Sequence, residues 1–351
     1  MLVYATRRLL LMIPTIFGVI FFTFVISSFV PGGPVDTMVD QIQASSGGRV
    51  SESGGGASAR GQGLRGFDPS VRDTIAKQLG YDKPASTRFL LLIRSYLLFD
   101  FGRSAFSGIP VIDLIKERLP VSISLGIWMT ILSYLISIPL GIRKAVRDGT
   151  RFDIVTSFLV SLGFAIPSFL WGVLLVTLFC GATLPIFPLK GLVSDNFAQL
   201  SASAKVGDYL WHIAMPVLAL TLGSFATTTA LTKNSFLDEI NKNYVLTARM
   251  KGATQRRVLY GHLFRNSMMI VIAGFPSAFV GAFFAGSLLI EVIFSLDGLG
   301  RLSYTALIAR DYPIVFANIY IFALVGLGVN LVSDLIYMWV DPRIDFQRRE
   351  V

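Results

Sequence analysis

The side chains able to do chemistry in this chain are few and far apart. It holds two histidines, His212 and His262, and one cysteine, Cys180. The histidines stand too far apart in sequence to make a ligand pair, and no cluster of His, Asp or Glu joins either at metal-site spacing. Cys180 has no partner for an intrachain disulfide and lies in an apolar run, where a thiol behaves as a small hydrophobe. No G-x-x-x-x-G-K-[ST] loop occurs to cradle a nucleotide phosphate. No serine or cysteine is spaced with a base as an activated nucleophile. The sequence therefore offers no catalytic residue, no metal ligand set and no cofactor bound by this chain. What remains is binding, docking and movement.

The informative polar groups lie in or beside long apolar runs. Asn330, Ser333 and Asp334 fall toward the end of the last run, where polar groups are costly and mark pathways or pairs. Asn330 and Asp334 are the pathway candidates; Asp334 either faces an aqueous path or pairs with Arg343. Glu291 closes the preceding run and is expected at its outer, solvated end.

The stretch 232–265, TKNSFLDEINKNYVLTARMKGATQRRVLYGHLFRNS with the two residues that follow it, is too patterned for a plain connector. Phe236, Ile240, Tyr244 and Ala248 recur at helical spacing, which predicts one helix with an apolar face that Gly252 ends. A second helix from about Thr254 puts Val258, Leu259, His262 and Leu263 near one face. The result is a helix–turn–helix hairpin with apolar and basic residues. Such a surface fits a partner's groove or lies flat on anionic lipid. Nucleic acid is a poor fit for a loop pinned between two membrane spans. In the run that follows, Gly274, Ala278, Ala282 and Gly286 recur every four residues, which lets another helix approach closely. That helix belongs either to a partner chain or to this one.

The elements that must position these residues are membrane helices. Of 351 residues, 53% are hydrophobic and 15% charged, against about 25% charged in a soluble domain. The apolar residues come in blocks near the 20 or so that span a bilayer. Six such blocks stand out, at about 9–30, 120–142, 154–180, 209–231, 266–291 and 314–340. Helix is the expected form of each, because lipid leaves backbone groups unsatisfied in any open structure, and the runs are too long and too evenly apolar for barrel strands. Pro139, Pro167, Pro216 and Pro276 fall inside them, as membrane helices tolerate. The fold class is thus all-α and polytopic.

The first block follows Arg7 and Arg8 as a signal peptide would, but it exceeds a secretory apolar core and ends in Val30-Pro31-Gly32-Gly33-Pro34 without a cleavage pattern. It reads as a retained span. Loops 143–153 and 232–265 hold eleven Lys and Arg, against four in loops 181–208 and 292–312. The asymmetry predicts that both termini are cytoplasmic, and it accounts for the formal net charge of +9 better than nucleic-acid binding does. The chain then divides into a tail and first span (1–30), an external segment (31–119), five further spans (120–340) and a C-terminal tail (341–351). Within the external segment, 45–66 holds eight Gly and five Ser and is expected to be flexible. Residues 68–119 carry helix signals: Asp68-Pro69 opening a helix that Gly80 ends, then a second helix from Pro84 to Leu98. This segment gates the path, docks a delivery protein or covers the helices.

Ala248, Gly252 and His262-Leu263-Phe264-Arg265-Asn266 together resemble the EAA loop of ATP-binding-cassette importer permeases. Thr247 stands where the family has Glu, and Arg249 where it has the second Ala. Arg7-Arg8-Leu9 through Pro34, Asp100-Phe101-Gly102-Arg103-Ser104, Arg118-Leu119-Pro120-Val121-Ser122, Gly298-Leu299-Gly300, Arg310-Asp311-Tyr312-Pro313 and Asp341-Pro342-Arg343-Ile344 resemble oligopeptide and dipeptide permeases of the B type. The Gly/Ser-rich insert, Ile138 to Lys144, and the ending to Phe346 are most similar to the Yej-type branch, associated with peptides and microcin-type cargo. The resemblance implies a type I importer fold with six spans and an external helical insertion between the first two. It implies a second, C-type permease, two cytoplasmic ATPase domains that bind ATP and Mg, a periplasmic substrate-binding protein and a place in the bacterial inner membrane. It also implies that Tyr244, Thr247, Ala248, Arg249, Lys251, Gly252, His262, Leu263 and Arg265 form the surface coupled to the ATPase. Two other classes compete. An ion-coupled transporter predicts ionisable groups at mid-membrane, which are nearly absent; a membrane-anchored adaptor has no need of five further spans.

Overall fold

The computed structural model describes residues 2–29, 83–181, 184–285 and 287–340. Every long apolar block is a helix, and no strand occurs among the described residues. In chain order the helices are α1 (Leu2–Phe29), α2 (Ala85–Leu97), α3 (Val111–Val146), α4 (Arg151–Ala165), α5 (Ser168–Leu175), α6 (Ala202–Ile240), α7 (Asn243–Met250), α8 (Gln255–Arg257), α9 (Phe264–Ala285), α10 (Ser287–Ile293), α11 (Leu299–Ala309) and α12 (Tyr312–Val340). Two π-helical turns, Val176–Cys180 and Val258–Leu263, extend α5 and join α8 to α9. Five helical stretches are long and apolar enough to cross a membrane, or six if α4 and α5 with its π turn count as one broken span.

That broken span departs from the straight helix expected over 154–180. The two halves meet at 91°. Pro167 has no N–H to continue α4, and its ring drives Ile166 into the extended region, at φ −91° and ψ 120°. The indole N–H of Trp171 then donates to the freed carbonyl of Gly163 at 3.0 Å. Pro139, Pro216 and Pro276 lie inside unbroken helices. In the fifth block, expected as one span over 266–291, the described residues on both sides of Gly286 are helical, as α9 and α10.

The described chain forms two compact units, one of residues 1–10, 118–302 and 325–351, the other of 11–117 and 303–324. In the first, an apolar core gathers Leu125 and Met129 of α3, Leu175 of α5, Ile213 and Leu220 of α6 and Ile290 of α10. A second core, next to the hairpin, gathers Ile142 of α3, Phe236 of α6, Val245 of α7, Val258, Leu263 and Val271. In the other unit, Phe89 of α2 is ringed by Phe17, Phe21 and Phe24 of α1 at centroid distances of 5.6, 5.9 and 5.2 Å. Tyr96 of α2 meets Phe101 and Tyr320 edge-on, each at 5.1 Å. The helix expected over Pro84–Leu98 is α2. The expected Gly/Ser-rich stretch 45–66 and the helix opened by Asp68 lie outside the described residues.

A buried charge network clips α3, α4 and α6 together. The Lys144 ammonium sits 3.0 Å from the Asp153 carboxylate and donates to Thr156 Oγ1 and Ser157 Oγ at 3.1 and 2.6 Å. Lys233 of α6 pairs with Asp153 at 2.7 Å and with Asp148 at 2.8 Å. Two of the cations that the charge asymmetry counts thus serve as structural ion pairs. Such pairs persist because removing one partner strands the other in a poorly solvated place.

Phe236 is fully buried in the core beside the hairpin, so Phe236→Ala is expected to destabilise the protein by about 3–5 kcal/mol. A thermal-unfolding scan of the purified protein in detergent checks this, together with faster proteolysis within 241–254.

Candidate functional site

The hairpin stands on two helices that also cross the apolar layer. α6 runs 39 residues, about 58 Å at 1.5 Å per residue, roughly twice the hydrocarbon thickness of a bilayer. A helix of that length leaves lipid at one end or both, and its final turns carry the hairpin. The helix expected to run unbroken through Phe236, Ile240, Tyr244 and Ala248 is in fact two. α6 stops at Ile240, Asn241 takes φ −95° and ψ 1°, and α7 restarts at Asn243. Glu239 makes this turn: it accepts from Lys242 and from the Tyr244 hydroxyl, the latter at 2.5 Å. Burial first, and then the Glu239 carboxylate, push the Tyr244 phenol above its ordinary value, which keeps it a donor. Asn266 at the start of α9 donates to the same hydroxyl at 3.4 Å. Tyr244 thus joins α6, α7 and α9.

Gly252 ends α7 as expected, in the left-handed region at φ +79°, where a side chain would be strained. Thr254 caps the next segment by accepting from Arg257 N at 3.4 Å. The expected second helix of the hairpin is not separate: α8 passes through the Val258–Leu263 π turn directly into α9. A π turn shifts the phase of the helix around it, and here it turns Leu263 into the core while His262 stays exposed. Ser235 Oγ donates to Ser267 O at 2.5 Å, tying α6 to α9 behind the hairpin.

The residues assigned to the coupling surface separate into two sets. Tyr244, Ala248 and Leu263 face the core beneath the hairpin, together with Val245 and Phe236. Thr247, Arg249, Lys251, Gly252, His262 and Arg265 are exposed. Thr247 donates to the carbonyl of Asn243 in its own helix at 3.0 Å. The sequence reading missed Leu246 and Met250. They sit four residues apart on α7 and are 57% and 81% exposed. Their i, i+4 spacing marks a second apolar stripe on the face of α7 opposite Tyr244 and Ala248, facing away from the core.

Glu291 is not solvated, contrary to expectation: it is fully buried. It accepts from Ser122 Oγ of α3 and from the Arg301 backbone N–H, both at 2.8 Å. Ser122 Oγ in turn accepts from Leu299 N at 2.8 Å. A carboxylate at the first turn of α11 satisfies orphan donors and complements the helix dipole. The site is tight: a Cβ added to Gly298 would stand 2.4 Å from the Glu291 carboxyl carbon, so only glycine lets the backbone pass. Arg118 pairs with Asp297 of the same loop at 2.9 Å. In the other unit, Asp311 accepts from Ser104 Oγ at 2.6 Å and from Ala105 N at 3.2 Å. The short motifs that carried the family resemblance are therefore contact partners: Arg118 to Ser122 with Gly298-Leu299-Gly300, and Ser104 with Asp311.

Asp334 has a structural partner, but it is Arg8 of α1, at 2.5 Å; Arg343 lies outside the described residues. Asn330 is exposed on α12. In the small-residue series, a Cβ on Gly274 would lie 3.5 Å from Leu231 of α6, so its near neighbour is this chain's own helix. Ala278 is half-buried, the Ala282 side chain and Gly286 lie outside the described residues. Among the described residues no group of three or more His, Cys, Asp or Glu is placed to hold a metal ion.

A polytopic helical chain with a structured hairpin resting on two of its spans is built as the membrane-crossing subunit of a transporter. Residues 137–346 match the family described as binding-protein-dependent transport system inner membrane component, and the chain belongs to that family. It is 56% identical, over 99% of both chains, to the peptidoglycan transport system permease protein YejB of Agrobacterium fabrum. Over the same shares it is 49% identical to the inner membrane ABC transporter permease protein YejB of Escherichia coli O157:H7. It is 32% identical to the dipeptide transport system permease protein DppB of Escherichia coli K12, over 98% of this chain and 99% of the relative. The chain is an ABC permease subunit, multi-pass and not itself an enzyme; the ATPase of this family is a separate subunit.

Glu291→Ala is expected to lower stability by about 1.5–3 kcal/mol, as a charged acceptor is lost from buried donors. Ser122→Ala should cost less, and the double variant less than the sum, because the two share one network. Thermal unfolding of the four proteins in one detergent checks the cycle; strict additivity would show that Ser122 and Glu291 do not interact.

Proposed function

We propose that this chain is one membrane half of an ATP-driven importer that carries peptides or peptide-like compounds across a bacterial inner membrane. A second, C-type permease completes the pathway. Two ATPase domains bind ATP and Mg on the cytoplasmic side, and a periplasmic binding protein delivers cargo. Both termini are cytoplasmic, and the segment 31–119 is periplasmic. The cargo reading rests on the names of the relatives, which cover peptidoglycan, dipeptide and oligopeptide transport. Peptides, microcin-type peptides and peptide-bearing wall fragments share an amide backbone that an aqueous pathway admits without a dedicated chemical site.

The observation that carries the mechanism is the exposed stripe of α7 above a buried core continuous with α6 and α9. Leu246 and Met250 insert into a groove of the ATPase, with Thr247, Arg249, Lys251, His262 and Arg265 around them. Tyr244, Ala248 and Leu263 act behind the contact as positioning residues. When the ATPase domains close on ATP, the hairpin moves as a solid piece, and α6 and α9 rock with it. Rocking of helix bundles against one another is the common route to alternating access.

Leu246→Asp and Met250→Asp place a charge in the docking groove. Each is expected to cut ATPase recovery with the tagged permease by at least about tenfold, because an unpaired charge buried at an interface costs several kcal/mol. Membrane insertion and thermal unfolding of the permease itself should not change. Uptake of a labelled peptide by cells lacking the native gene should fall in parallel. Normal recovery and uptake in both variants would remove α7 from the coupling role.

A further inference from the structure

A cavity of about 690 Å³ lies beside the hairpin, between the end of α3, the start of α4 and the segment 255–260. Three arginines, Arg143, Arg147 and Arg256, are among the residues that line it, and no Asp or Glu is. None of the three forms an ion pair with another described residue. Arg147 is already oriented, its guanidinium 5.6 Å from the centroid of the Phe152 ring. Ile142, Val146, Leu259, Tyr260 and Gln255 line the rest of it. Three cationic residues around a partly apolar hollow suit one compact anion.

The neighbouring surface says which anion. From the turn after Phe152, α4 presents Ile154, Val155, Phe158 and Leu159, all more than half exposed. A basic hollow thus opens at the head of an apolar strip on one membrane helix. That is the outline of a phospholipid, with its phosphate in the hollow and its acyl chains along the strip. Arginine suits this use: its planar fork donates to two phosphate oxygens at once and gives up water more readily than lysine does. Basic hollows at helix ends on the cytoplasmic side are places where anionic lipids settle. An acidic side chain from a soluble subunit would answer the three charges but leaves the strip without a role.

We propose that this cavity binds the phosphate headgroup of an anionic phospholipid, phosphatidylglycerol or cardiolipin. The site lies beside the coupling surface and uses none of its residues, so the proposal does not depend on α7 docking an ATPase.

The test is native mass spectrometry of the full-length chain released from nanodiscs of equimolar phosphatidylglycerol and phosphatidylcholine. Phosphatidylglycerol should be retained in preference, and Arg143→Gln, Arg147→Gln and Arg256→Gln combined should reduce its retention by at least about tenfold. Excess inorganic phosphate should leave the lipid bound; displacement would mean that the hollow takes free phosphate and would overturn the lipid assignment. Should the triple variant fold poorly, Arg143→Gln and Arg256→Gln singly should each lower retention, and Arg256→Lys should restore part of it. Equal retention of the two lipids, or retention unchanged in folded variants, would overturn the proposal. So would loss of a copurifying ATPase from the variants while lipid stays bound, which would hand the hollow to the soluble subunit. Failure of the coupling reading instead shows in the Leu246 and Met250 variants, with lipid retention intact.

Discussion

One helix sets the terms for the rest of this chain. α6 is 39 residues long with Pro216 inside it, and a bilayer core takes only about 20. A helix of that length must leave lipid at one end or both, and inside lipid it must keep its backbone bonds. The Lys144–Asp153–Lys233 network fastens its distal turns to α3 and α4, and Ser235 fastens them to α9. The hairpin is therefore joined, through fixed contacts, to helices long and apolar enough to cross the membrane. A push on α7 meets the fully buried Phe236 and Leu263 and passes into two spans rather than into a slack loop.

Within each unit the buried polar contacts follow one logic. Where water is scarce, a polar side chain is kept only with a partner. Glu291 with Ser122 and the first turn of α11 is one such latch, and Asp311 with Ser104 is another. Each holds a short irregular segment to a helix distant in sequence. The segments carry residues at positive φ, Ser295 and Arg310, which persist only where surrounding contacts over-determine them.

Much of this was legible in the sequence, and the failures have identifiable causes. The spans, α2 and the stop at Gly252 follow from apolar run length, a proline at a helix start and a glycine after a helix end. The right-angled bend was not legible, because Pro139, Pro216 and Pro276 sit in similar runs and leave their helices intact. What differs at Pro167 is tertiary: an indole N–H from Trp171 is there to take the orphaned carbonyl. Glu291 looked solvated because it ends an apolar run, and its partner Ser122 lies 169 residues away. Asp334 was read against the nearest arginine in sequence, whereas Arg8 comes from the opposite end of the chain. Leu246 and Met250 were missed because only the series Phe236, Ile240, Tyr244 and Ala248 was followed: at about 100° per residue they lie on the opposite face of α7 from Tyr244 and Ala248, with or without the turn at Asn241-Lys242.

The central claim is that the outward face of α7 is where this permease meets its ATPase. The most direct measurement is photocrosslinking in intact membranes, with a benzophenone amino acid at Met250 and, for comparison, at the exposed apolar position Leu170. The account predicts that the Met250 probe links to an ATPase subunit, with a yield that changes when a non-hydrolysable ATP analogue is added, while the Leu170 probe does not link to it. A Met250 probe that finds only lipid, or a protein on the opposite face of the membrane, would contradict the account.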